Sequence, residues 1–147
     1  ALFMLMVMAV FELALLISEW SRSVEATRHL ARELVVNDPP VDLSSLDCTA
    51  GTTISFTCAE QDCGDAWTRA SRIVPTLAAS SMRVTYACSS ASYPDRPEEM
   101  PVLTLTVALE DHTTELAIPG LVGLPVDIAI PDFSTSRITE DMHTPGG

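Results

Sequence analysis

The chain has 147 residues, 47% of them apolar and 19% charged, with 20 acidic side chains against 8 basic ones and a formal net charge of −12. That apolar content is too high for a disordered chain, and a body this acidic repels phosphate backbones, which argues against nucleic-acid binding. Neither GxGxxG nor GxxxxGK(S/T) occurs, so the two common nucleotide-cradling loops are excluded as well.

Apolar residues are concentrated at the start. Ala1 to Ile17 (ALFMLMVMAVFELALLI) holds one polar side chain, Glu12. As a helix this run rises roughly 25 Å, slightly less than a ~30 Å hydrocarbon core. No basic flank and no small-residue cleavage pattern mark a cleavable signal, and a soluble core helix would carry a polar face. The expectation is a single transmembrane helix whose start lies upstream of Ala1. A carboxylate at a bilayer centre costs about 2.5–3.5 kcal/mol, so Glu12 is expected either near the interface or against a charged group of a partner subunit.

From Glu19-Trp20-Ser21-Arg22 the pattern turns polar but stays helical to about Val36. Leu13, Ile17, Trp20, Val24, Thr27, Ala31 and Leu34 recur at steps of three and four and form one mostly apolar stripe. Two uses of the stripe stay open: packing on the chain's own domain, or against neighbouring helices in a bundle. Asn37-Asp38-Pro39-Pro40 ends the helix, because proline disfavours helical backbone in the residue before it. Two parts follow: residues 1–36, an anchoring helix with its extramembrane continuation, and residues 37–147, a head.

Cys48, Cys58, Cys63 and Cys88 all lie in the head. An even number beyond a single-pass anchor predicts two disulfides, with three pairings open. Zinc is disfavoured, because only Cys58 and Cys63 are closely spaced and no histidine lies near the four. Disulfides place the head outside the cytoplasm. Arg22, Arg28 and Arg32 argue for the opposite orientation by the positive-inside rule, and the cysteines are given more weight.

Within the head, Thr52 to Thr57 reads as a strand and CAEQDCG as a turn. A helix starts at Gly64 or Asp65 and runs to about Ala79, with Trp67, Ala70, Val74 and Leu77 on one face and an interruption at Pro75. Met82 to Cys88 alternates as a half-buried strand with Val84, Tyr86 and Cys88 on one side. Ser89 to Pro101 is a proline-rich loop. Val102 to Glu110 is the clearest strand, with Leu103, Leu105, Val107 and Leu109 facing a core. Thr113 to Ile118 is expected to be its hairpin partner across Asp111-His112, followed by a loop to Pro125 and strands at Val126 to Ile130 and from Phe133. Strands joined by short links make an antiparallel meander. The fold class is therefore α+β: a long protruding amino-terminal hydrophobic helix, then a small head with a second helix packed on an antiparallel sheet.

Catalytic patterns are not evident. His29, His112 and His143 sit in polar stretches, neither HExxH nor a nucleophile elbow occurs, and Glu98-Glu99 and Glu110-Asp111 read as solvated charges. No catalytic, cofactor-binding or metal-binding residue is assigned, and the expectation is a non-enzymatic protein.

Phe11-Glu12-Leu13 inside the anchor, the Arg-bearing helix from Glu19-Trp20-Ser21-Arg22 to Ala31-Arg32, Arg83-Val84-Thr85-Tyr86, Leu103-Thr104-Leu105-Thr106-Val107, Leu116 to Leu124 and the closing Ser134 to Asp141 together resemble the TadE/TadG-like proteins of tight-adherence (Flp) pili. The likeness spans most of the chain as a loose pattern. It implies a minor pseudopilin-like subunit with a pilin-like α+β architecture, held in the bacterial inner membrane with its head in the periplasm, that helps initiate or assemble a fibre. Its implied partners are the membrane, other pilin or pseudopilin helices and the assembly platform. Phe11, Glu12, Leu13, Ile17, Glu19 and Trp20 are the candidate anchor and assembly residues. The sequence departs from such pilins at Leu5, which stands where they carry a glutamate, so Glu12 is not equated with that residue. An anchored binding or adhesion module is the alternative function.

Overall fold

The computed structural model describes residues 2–48, 50–88, 102–116, 118–119 and 126–139. Helix α1 spans Leu2–Val36 without a break. No proline or glycine interrupts it, and its first half is rich in Leu, Met and Ala, which lose little freedom in a helix. Helix α2 spans Gly64–Ile73, shorter than the expected reach to Ala79. Pro75 explains the difference: the residue before it, Val74, is extended (φ −130°, ψ 92°), as the proline ring requires. Gly64 opens α2 at φ +57°, a left-handed conformation that costs a residue with a Cβ.

The described residues hold six strands, one before α2 and five after it: β1 (Thr53–Thr57), β2 (Met82–Cys88), β3 (Leu103–Leu109), β4 (Thr113–Glu115), β5 (Asp127–Ala129) and β6 (Phe133–Thr139). β1-β2-β3-β6 form one antiparallel sheet, and β4-β5 form a separate two-stranded ribbon. The α+β class and the antiparallel sheet are as the sequence predicts. The proline-rich loop lies outside the described residues.

The partner of β3 is not the segment after Asp111-His112. β3 pairs with β6, and Thr113 pairs with Ala129 of β5. The chain bends at Asp111, where φ is 51°, and runs on into β4. Leu109 opposes Phe133 and, four residues along each strand, Thr113 opposes Ala129. β3-β4 and β5-β6 are thus one long hairpin, interrupted where Pro131 lacks an N–H and the Asp111 N–H donates to Asp132 Oδ1 at 3.3 Å.

Alternation along the strands sets the core. Phe56, Met82, Val84, Tyr86, Leu105, Val107 and Leu109 face inward and are buried under Ala26, Leu30, Ala31 and Leu34 of α1 and Ala66 and Ala70 of α2. The outer face is a hydroxyl surface, with Ser55 against Thr85 at 3.0 Å and Thr106 against Ser136 at 2.9 Å. Two disulfides, Cys48–Cys88 and Cys58–Cys63, cross-link the head. The first joins the segment after α1 to the end of β2 across a sequence separation of 40, which removes about 4 kcal/mol of unfolded-chain entropy in the loop-closure model. The second clamps the turn between β1 and α2 and contributes about 2 kcal/mol on the same basis.

Tyr86 is fully buried against Phe56, with ring centroids 6.2 Å apart, and its hydroxyl finds no hydrogen-bond partner among the described residues. Burial pushes its ionisation up to about 12. The unfolded phenol ionises near pH 10, so stability should be constant below that value and fall by about 2–3 kcal/mol as pH rises to about 12. With no lysine in the chain, few other groups titrate in that window. Tyr86→Phe should remove this alkaline loss and gain about 1–3 kcal/mol at neutral pH, as read by chemical unfolding. An unchanged alkaline fall in the variant would contradict the assignment.

Candidate functional site

The first half of α1 projects from the head. Leu2 is 81% exposed and Ile17 still 57%, and Phe3, Met4, Leu5, Met6, Met8, Val10, Phe11, Leu13 and Leu15 between them are also exposed. An 18-residue stretch of the helix has a mean hydropathy of 2.2, and none of it is buried. Length and composition suit a membrane span.

The second half packs on the chain's own domain, along a face that differs from the expected stripe. Ser23, Ala26, Thr27, Leu30, Ala31 and Leu34 are buried, and the same face continues towards the amino terminus through half-buried Glu19, Leu16 and Glu12. Thr27, Ala31 and Leu34 of the expected stripe lie on or beside it. Leu13, Ile17 and Trp20 are exposed about a quarter turn away, at ~100° per residue. The reason is steric. Ser23, Ala26 and Ala31 are small and let α2 and the sheet approach closely, while bulky Trp20 cannot. The hydroxyls of Ser23 and Thr27 do not oppose burial, because they bond back to the carbonyls of Glu19 and Ser23, both at 2.9 Å. A repeat of small residues was the missed signal in the sequence.

Acidic side chains fasten α1 to the head at three levels. Glu33 pairs with Arg69 of α2 at 2.7 Å. Glu19 Oε1 accepts a hydrogen bond from Thr76 Oγ1 at 2.6 Å and lies 3.8 Å from His112 Nε2. Glu12 Oε2 accepts the backbone N–H of Ile118 at 3.1 Å. The chain thus supplies Glu12 with an internal donor. Glu12 and Glu19 turn towards the head, whereas Phe11, Leu13, Ile17 and Trp20 are not drawn into it.

His112, placed by the sequence at a hairpin turn, is only 3% exposed. Its carbonyl accepts the Ile130 N–H at 2.8 Å, and its Nε2 has no hydrogen bond among the described residues. Nothing in the polar stretch around it signals this, because its burial comes from the ribbon continuing past Asp111. Among the described residues, no three His, Cys, Asp or Glu side chains converge as metal ligands would. A shallow recess is lined by Glu110, Asp111, Asp132, Phe133 and Ser134.

No protein-family model, no curated protein and no solved structure matches this chain.

The geometry separates two adjacent residues of α1. Glu19→Ala removes a charge-assisted bond to Thr76 and should cost about 1–3 kcal/mol of head stability. Trp20→Ala, on the exposed side, should change it by less than about 0.5 kcal/mol. Chemical unfolding of the detergent-solubilised chain measures both, and equal losses would contradict the placement.

Proposed function

We propose that this protein is a membrane-anchored, minor pseudopilin-like subunit that acts in the assembly or initiation of a tight-adherence pilus, with its head on the periplasmic side of a bacterial inner membrane. The observation that carries the proposal is the row of exposed apolar side chains on α1 from Leu2 to Trp20, outside the face that Glu12, Leu16 and Glu19 turn to the head. A soluble monomer seldom exposes a contiguous apolar surface of that extent. Lipid covers such a surface, and neighbouring apolar helices pack on it.

Three features support the reading. Two disulfides suit a head in an oxidising compartment. The Leu13-Ile17-Trp20 stripe is left outside the head's footprint and faces sideways, where another helix fits. The loose resemblance to the TadE/TadG-like proteins names the kind of assembly. Neighbouring helices at a membrane surface associate through close side-chain contact, ridges of one seated in grooves of the other. The stripe is therefore the part of α1 whose shape matters, whereas the rest of the run needs only to be apolar.

The test is the pair Leu13→Ala and Ile17→Ala combined in the full chain. Both positions are exposed, so the head should unfold at an unchanged temperature and the protein should still fractionate with membranes. Pilus number should drop sharply. Undiminished piliation would overturn lateral packing through this stripe and favour an anchored binding module, for which the helix is a tether only.

A further inference from the structure

We propose that the outer end of the β4-β5 ribbon is a second membrane-contacting element, resting on the lipid surface beside α1 and setting the hydrocarbon boundary at the level of Glu12. The proposal rests on the reading of α1 as a membrane anchor and extends it to the head.

Two contacts fix the track of the ribbon. His112, at its base, lies against Glu19, and Ile118, just past β4, donates its N–H to Glu12. Between those contacts α1 drops seven residues, roughly 10 Å along its axis, towards its bare apolar end. The ribbon therefore runs down the helix and away from the sheet. Beyond β4 and β5 its ladder is extended by the Leu116 N–H on the Val126 carbonyl at 2.9 Å and by the Ile130 N–H on the His112 carbonyl.

The two faces of the ribbon differ. Opposed residues share a face, so His112 with Ile130, Thr114 with Ile128 and Leu116 with Val126 lie on one side. At the base of that side His112 and Ile130 are buried, but towards the outer end Ile128 is 37% exposed and Val126 42%. The opposite side carries Glu115 and Asp127, both exposed. In the sequence, Leu116 to Val126 (LAIPGLVGLPV) contains no polar side chain. A short element with one apolar and one acidic face has the polarity that a membrane interface requires.

Lipid, rather than another protein, is the occupant for three reasons. The exposed ribbon residues are continuous with the exposed apolar run of α1 through Glu12, so one medium meets both. At that junction the Glu12 carboxylate and the Ile118 N–H meet each other, which lowers the cost of placing both near hydrocarbon. Trp20 and Arg22 are exposed roughly 12–15 Å further up the helix, a depth that suits an interfacial aromatic and a basic residue among headgroups. The ribbon lies on the boundary and does not cross it, because an open strand edge is not tolerated inside the hydrocarbon.

Photocrosslinking of the full chain in phosphatidylethanolamine–phosphatidylglycerol vesicles tests this. p-Benzoylphenylalanine is placed singly at Val126, at Met8 of α1, and at Ser55 on the outer face of the sheet. All three positions are exposed, and retention of both disulfides confirms that each variant has folded. Lipid adducts should form at Met8 and at Val126, several-fold above the yield at Ser55. Adducts at Met8 with only the Ser55 level at Val126 would overturn the ribbon contact and leave the anchor intact. A dimer crosslink at Val126 in place of lipid would overturn it in favour of a second copy as the occupant. No lipid adduct at Met8 would remove the anchor and the ribbon contact together.

Discussion

A single uninterrupted helix has to satisfy two solvents. Over its first half α1 shows apolar side chains on every face, and over its second half it buries one face and exposes charge on the other. The backbone imposes no break between the two regimes, so the transition has to be written in side chains. Ser23, Ala26, Thr27 and Ala31 write it on one side by admitting the sheet and α2. Leu13, Ile17 and Trp20 write it on the other by remaining outside.

The rest of the head is arranged around that helix. α1 packs over β3 and β6, with Leu30 and Leu34 in the shared core, and Glu33, Glu19 and Glu12 bind α2, the segment after it and the ribbon in turn. These acids occupy the covered face at successive levels, so the head is held along the helix and not at one point. The disulfides work elsewhere, on the segment after α1 and the turn before α2. With a mostly aliphatic core and a small head, cross-links that reduce unfolded-chain entropy supplement what burial supplies.

Much of this architecture was legible in the residues. The apolar run, the length of α1, the bounds of β2 and the inward set of β3 follow from periodicity alone, because each is a long and regular pattern. The pairing of the cysteines was not legible, since spacing does not choose among three connectivities. Two misreadings have physical causes. The stripe through Leu13, Ile17 and Trp20 follows size and hydropathy, but the buried face mixes small Ser23, Ala26 and Ala31 with Leu30 and Leu34, a pattern that hydropathy alone does not pick out. The expected turn at Asp111-His112 follows polarity, but the chain only bends at Asp111, and β6 rather than β4 lies beside β3. Of the candidate assembly residues, the sequence located Glu12 and Glu19 without indicating that the head itself would engage them.

Because the described cysteines are all paired, a single introduced cysteine offers a unique site for a nitroxide label. A scan of such labels from Met4 to Leu34 in a lipid bilayer, reading collisions with dissolved oxygen and with a water-soluble paramagnet, tests the division of α1 directly. The account predicts uniform oxygen contact without periodicity up to Phe11, then a 3.6-residue oscillation from Glu12 onward with minima at Ser23, Ala26 and Leu30. A 3.6-residue oscillation already present between Met4 and Phe11, with one face closed to both reagents, would place that half of the helix against protein and contradict the account.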